Sequence, residues 1–75
     1  MVQAVKPGFD EIERDIVDFI ARGYTRIAVA EALGIKVRKA KWLEMRLALK
    51  LGVTRRREIP FAYMRLTGDD PYPRP

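Results

Sequence analysis

Residues 25–52, TRIAVAEALGIKVRKAKWLEMRLALKLG, constrain the fold more than any other stretch of the chain. Two helical patterns meet at Leu33-Gly34-Ile35. Ala30, Gly34 and Ala40 stand at the spacing of a helix-turn-helix, and each small residue has a physical task. Ala30 lets the second helix cross closely over the first. Gly34 can take the left-handed backbone conformation that a tight turn needs. Ala40 fits the inner angle between the helices. Val29, Leu33, Ile35, Leu43 and Leu47 supply the matching apolar face.

The flanking sequence completes a small helical unit. Asp10 followed by Glu13 fits a capping box, so a first helix is expected to start at Asp10. Glu11, Glu13 and Asp15 suit the positive end of its dipole. Ile12, Ile16, Phe19 and Ile20, with Val17 beside them, repeat at helical spacing as a buried stripe, and Gly23 ends the helix. Thr25 suits the N-cap of a second helix reaching to about residue 33, with Val29, Ala30 and Leu33 inward and Ile27 opposite. A third helix is expected over about 37–51, with Ala40, Leu43, Leu47 and Leu51 on one face. Lys36 stands where a capping hydroxyl is expected and cannot serve as one, so fraying or a shifted start is expected there. Gly52 ends this helix and lets Val53 fold back. Pro60, tolerated only in a first turn, sets a short fourth helix over about 59–66, closed by Thr67-Gly68. The expected class is all-α: a small four-helix helix-turn-helix domain over 9–67. A flexible arm is expected at 1–8, and an extended, mobile, Pro-rich tail at 68–75.

Composition removes most chemistry. A chain of 75 residues supports one small domain. It contains no Cys, His, Ser or Asn, so disulfides, thiolate or imidazole metal sites and serine or cysteine nucleophiles have no material. Asp69-Asp70 is a carboxylate pair in the tail and reads as solvated. No enzyme activity, metal, cofactor or small-molecule ligand is expected. The longest apolar run is far too short for a membrane span, and the N-terminus lacks a signal-peptide block. A cytoplasmic, nucleoid-associated protein is the expectation.

Charge distribution says more than the net +5. Residues 36–57 hold nine basic side chains against one acidic, Glu44, a net +8; the remaining chain carries a net −3. A block of this kind is the electrostatic footprint of a polyanion-binding face.

Phe9-Asp10, Glu13-Arg14-Asp15-Ile16-Val17, Ile20-Ala21-Arg22-Gly23, Val29-Ala30-Glu31-Ala32-Leu33-Gly34-Ile35, Leu51-Gly52-Val53 and Arg56 together resemble the LuxR/FixJ-type (GerE-like) DNA-binding domain. The similarity covers residues 9 to about 66 without a gap. The Leu-Gly-Val ending favours this family over the fourth region of sigma factors. The departures are Lys36 for the family's Ser, Lys39-Ala40 for its Thr-Val and Leu43 for its frequent His. Pro60 falls near the start of the family's dimer-forming fourth helix and is expected to shorten it.

The resemblance implies a third helix in the major groove of double-stranded DNA, and a transcription regulator that binds as a homodimer. Free of a receiver or ligand domain, it is expected to be controlled by its abundance or by a partner. Arg38 is the first choice for base reading, because a guanidinium can bond guanine O6 and N7 together; Lys41 is second. Without Asn or Gln on the helix, apolar contact with thymine methyls by Val37 or Trp42 is expected beside the guanine contacts. Thr25, Arg26, Lys36, Lys39, Arg46, Arg55 and Arg56 are the expected phosphate contacts. Trp42, Met45 and Leu49 form an apolar stripe opposite the buried one. Phe61, Tyr63, Met64 and Leu66 are expected to close the core with a surplus aromatic left for a partner, so Phe61, Tyr63 and Met64 join Trp42, Met45 and Leu49 as candidates for a dimer or partner contact. That leaves a second expectation, a protein-binding module that docks RNA polymerase, a sigma factor or another regulator through Trp42, Met45 and Leu49.

Overall fold

Helix α1 (Glu11–Ala21) starts where a reciprocal cap closes its first turn. The Glu13 N–H donates to the Asp10 carboxylate at 2.8 Å, and the Asp10 N–H donates to the Glu13 carboxylate at 2.9 Å. Two of the four orphan donors of the helix are satisfied this way. The computed structural model describes residues 8–73. Along them follow α2 (Arg26–Leu33), α3 (Val37–Leu51), a 3-10 turn (Arg56–Glu58) and α4 (Ile59–Thr67), with no strand among the described residues. Of the expected arm only Gly8 is described; Arg74 and Pro75 of the tail also fall outside.

Local chemistry explains the helix ends. Thr25 caps α2, its hydroxyl accepting the Ala28 N–H at 3.1 Å. Gly34 has φ 69°, and this left-handed turn brings the Ile35 N–H onto the Ala30 carbonyl at 3.0 Å. Only two residues then separate Gly34 from the start of α3. Lys36 occupies the N-cap of α3 without a side-chain cap bond, yet the helix begins at Val37 with no shift. Gly52, at φ 75°, reverses the chain again, so that the Val53 N–H reaches the Ala48 carbonyl at 3.0 Å and Val53 packs on the core.

All four helices contribute to one core: Ile16, Val17 and Ile20 from α1, Val29 from α2, Leu47 from α3, Ile59 and Tyr63 from α4, with Phe9 from the entry segment. Phe19, Tyr24, Leu33, Leu43, Leu51 and Val53 pack partly buried around it. Ala40 is fully buried, which allows α2 and α3 to approach closely. Each buried Ile, Leu or Val contributes about 1.5–3 kcal/mol relative to exposure.

Three expectations change. Ile12 does not belong to the buried stripe; it is 48 % exposed, and Glu13 is buried instead. The inward face of α1 centres on Ile16, Val17 and Ile20, which turns Glu13 toward α3. There the Lys50 ammonium donates to both Glu13 carboxylate oxygens at 2.9 Å and to the Gly8 carbonyl at 2.7 Å. Tyr63 is not a partner contact: it is 5 % exposed, with its ring edge-on to Phe9 at 5.2 Å. The end of α4 also moves, while Pro60 sits in the first turn as expected, where its missing N–H is one the helix would leave unpaired anyway. The helix runs to Thr67, one residue past the expected end. The tail after Gly68 forms no helix or strand as far as Pro73. No helix among the described residues is long and apolar enough to cross a membrane.

Candidate nucleic-acid interface

With 3.6 residues per turn, the buried Ala40 and Leu47 fix which side of α3 faces outward. Arg38, Trp42, Met45 and Leu49, at spacings of four, three and four, lie on that outward side. Lys41 flanks them on one edge and Lys39 and Arg46 on the other. Val37, Arg38, Lys39, Lys41 and Trp42 are all exposed. Among the described residues none of Arg38, Lys39 and Lys41 enters an ion pair. Arg46 lies over the indole of Trp42, 4.8 Å from the ring centroid, and so braces it against one flank of the helix.

The elbow and the start of α3 enclose a shallow cleft of about 750 Å³, lined by Gly34, Ile35, Lys36, Arg38, Lys39 and Trp42. Four of the residues expected to touch DNA therefore share one concavity. Apolar Ile35 and the indole sit among three cations there. Trp42, Met45 and Leu49 are 53 %, 54 % and 79 % exposed, so neither α4 nor the described tail covers them.

The arginines outside α3 divide differently. Glu44, the one acidic residue of the basic segment, is 2 % exposed. Its Oε1 accepts from Arg26 Nε at 2.9 Å and from Arg56 Nε at 3.0 Å, and Arg56 also donates to the Tyr24 carbonyl at 2.7 Å. Arg26 and Arg56, both expected at phosphates, thus turn their Nε groups inward to this carboxylate while their side chains stay 36 % and 29 % exposed. Their guanidinium groups tie the start of α2 and the 3-10 turn to α3, because a buried carboxylate needs donors to offset its lost hydration. Glu44 Oε2 is buried, with no hydrogen-bond partner among the described residues. Arg55 remains exposed beside the turn, its N–H donating to the Glu58 carboxylate at 3.4 Å. Of the other expected partner contacts, Phe61 is 52 % exposed and Met64 is half-buried.

Sequence reasoning missed the internal use of Glu13 and Glu44. The signal was present: Glu44 follows Ala40 by four residues and precedes Leu47 by three, which puts a carboxylate on the apolar face. A charge there has to be paired.

Acidic residues gather elsewhere. Glu11, Asp15 and Asp18 of α1 line a depression with Asp69 and Asp70 of the tail. No group of three or more His, Cys, Asp or Glu among the described residues could hold a metal ion. Compared with protein-family models, with characterised proteins and with solved structures, the chain matches none.

Proposed function

We propose that the chain is a sequence-specific, double-stranded DNA-binding transcription regulator, in which α2, the Gly34 elbow and α3 act as a helix-turn-helix of the LuxR/FixJ type. The observation that carries this reading is the division of the cations. Arg26, Lys50 and Arg56 are paired with the carboxylates of Glu44 and Glu13. Arg38, Lys39 and Lys41 stand exposed, with no ion pair among the described residues, on a helix anchored by its opposite face. Like charges held together on one rigid rod raise the local positive potential, which attracts a polyanion.

In this reading α3 lies in the major groove. Arg38 bonds guanine and Lys41 assists, while Lys36, Lys39, Arg46, Arg55 and the α2 start at Thr25 take phosphates. Two copies bind a symmetric site. Selection of bound duplexes from a random pool tests it, with affinities followed against salt. Enrichment of one sequence, with a log–log salt slope of about −3.6 for about four phosphates per domain, is expected. Arg38→Ala should relax the preference. A pool that stays random after selection refutes the reading.

A second reading is favoured by the exposure of Trp42, Met45 and Leu49. Here the outward face of α3 docks a protein such as RNA polymerase, a sigma factor or another regulator. Loss of such a partner in Trp42→Ala with DNA binding intact would favour it.

A further inference from the structure

The side chains of α3 are VRKAKWLEMRLALKL. They include no Asn, Gln, Ser, Thr or Asp, and the one carboxylate, Glu44, is buried under Arg26 and Arg56. The outward face therefore offers donors and apolar groups but no oxygen acceptor. Major-groove amino groups, on adenine N6 and cytosine N4, need an acceptor and have none here. What such a face can detect is guanine O6 and N7, other ring or carbonyl acceptors, and the methyl group at pyrimidine C5.

Trp42 is the apolar group best placed for that methyl. It lies one turn beyond Arg38, about 6 Å along the axis at 1.5 Å per residue, which spans no more than about two base pairs. Its indole is half exposed, borders the same cleft as Arg38, and is braced from the side by Arg46. A braced ring presents a fixed apolar surface and loses little freedom on contact. Val37 is also exposed but does not line that cleft.

Resting on the DNA-binding reading above, we propose that Trp42 reads the C5-methyl group of a pyrimidine within two base pairs of a guanine held by Arg38. The site then separates thymine from uracil, and 5-methylcytosine from cytosine. Cytosine methylation within the site becomes a signal that tightens binding.

The test uses the full chain and the best duplex from the random-pool selection. Each thymine within two base pairs of the guanine whose preference Arg38→Ala relaxes is replaced by uracil, which removes one methyl group. In parallel, cytosine and 5-methylcytosine are compared at the same positions. One buried methyl corresponds to roughly fourfold in affinity. We expect that loss at one position for uracil, the matching gain for 5-methylcytosine over cytosine, and collapse of both in Trp42→Ala but not in Val37→Ala. Trp42 is half exposed, so the variant keeps its core. Equal binding of thymine and uracil duplexes by the parent chain overturns the proposal while leaving DNA recognition standing. Discrimination that survives Trp42→Ala also overturns it. A selection that enriches no sequence removes the underlying reading as well, and is distinguishable from either.

Discussion

Replacing Glu44 with Leu tests whether the internal arginine network holds the fold together or merely tolerates a buried charge. Leu is apolar and of similar size, so cavity formation is largely avoided. The substitution removes two charge-assisted hydrogen bonds, at 2.9 and 3.0 Å. Each is worth about 1.5 kcal/mol at the low end of its range. The low end applies because the Arg26 and Arg56 side chains are 36 % and 29 % exposed and can rehydrate. Against that loss of about 3 kcal/mol stands a gain of about 1 kcal/mol, since a carboxylate only 2 % exposed no longer has to give up its hydration. The net cost is about 2 kcal/mol, a large share of the roughly 3–5 kcal/mol that a core of this size supplies. For a domain of this length that lowers Tm by about 8–16 °C. Urea and thermal unfolding followed by far-UV circular dichroism measure both quantities. Arg26→Met and Arg56→Met, combined with Glu44→Leu in double-mutant cycles, should each show a coupling of about 1 kcal/mol. A Glu44→Leu chain as stable as the parent, or more stable, would refute the argument. Desolvation of the carboxylate would then cancel its pairing, as it does for some buried ion pairs.

Other substitutions separate stability from recognition. Lys50→Met removes the bonds to Glu13 and the Gly8 carbonyl, and should cost about 1–2 kcal/mol in thermal unfolding while leaving affinity for a selected duplex unchanged within about twofold. Ile12→Lys should change stability by less than about 0.5 kcal/mol, whereas Ile16→Ala should cost about 3 kcal/mol; similar losses in a urea titration would mean that α1 faces the core differently. Gly34→Ala meets no neighbouring atom, so its cost is the left-handed backbone alone, about 1 kcal/mol, and a denaturation midpoint equal to the parent's would contradict φ 69° at the elbow.

The helices and their ends were legible because their causes are local. Asp10 with Glu13 at the start of α1, Thr25 before α2, Gly34 and Gly52 at left-handed turns, and Pro60 in the first turn of α4 each act through neighbours within a few residues. The capping box and the bounds of α3 needed nothing else. The 3-10 turn Arg56–Glu58 escaped notice, because it has no periodicity of its own and is held by the contacts of Arg56 with Glu44 and Tyr24. The outward set on α3 could be named from spacing, since one face of a helix follows once the other is apolar.

The sequence by itself determined where the helices lie and that positive charge concentrates between residues 36 and 57. It could not say which of those charges are spent. Residue type and spacing do not report what approaches a side chain from a distant element, and Arg56 meets Tyr24 across 32 residues as Lys50 meets Glu13 across 37. Only tertiary packing decided that Glu13 and Glu44 are buried and that Arg26, Lys50 and Arg56 answer them. Among the described residues it kept Arg38, Lys39 and Lys41 out of those pairs, because each buried carboxylate draws its cations from other elements that converge on it.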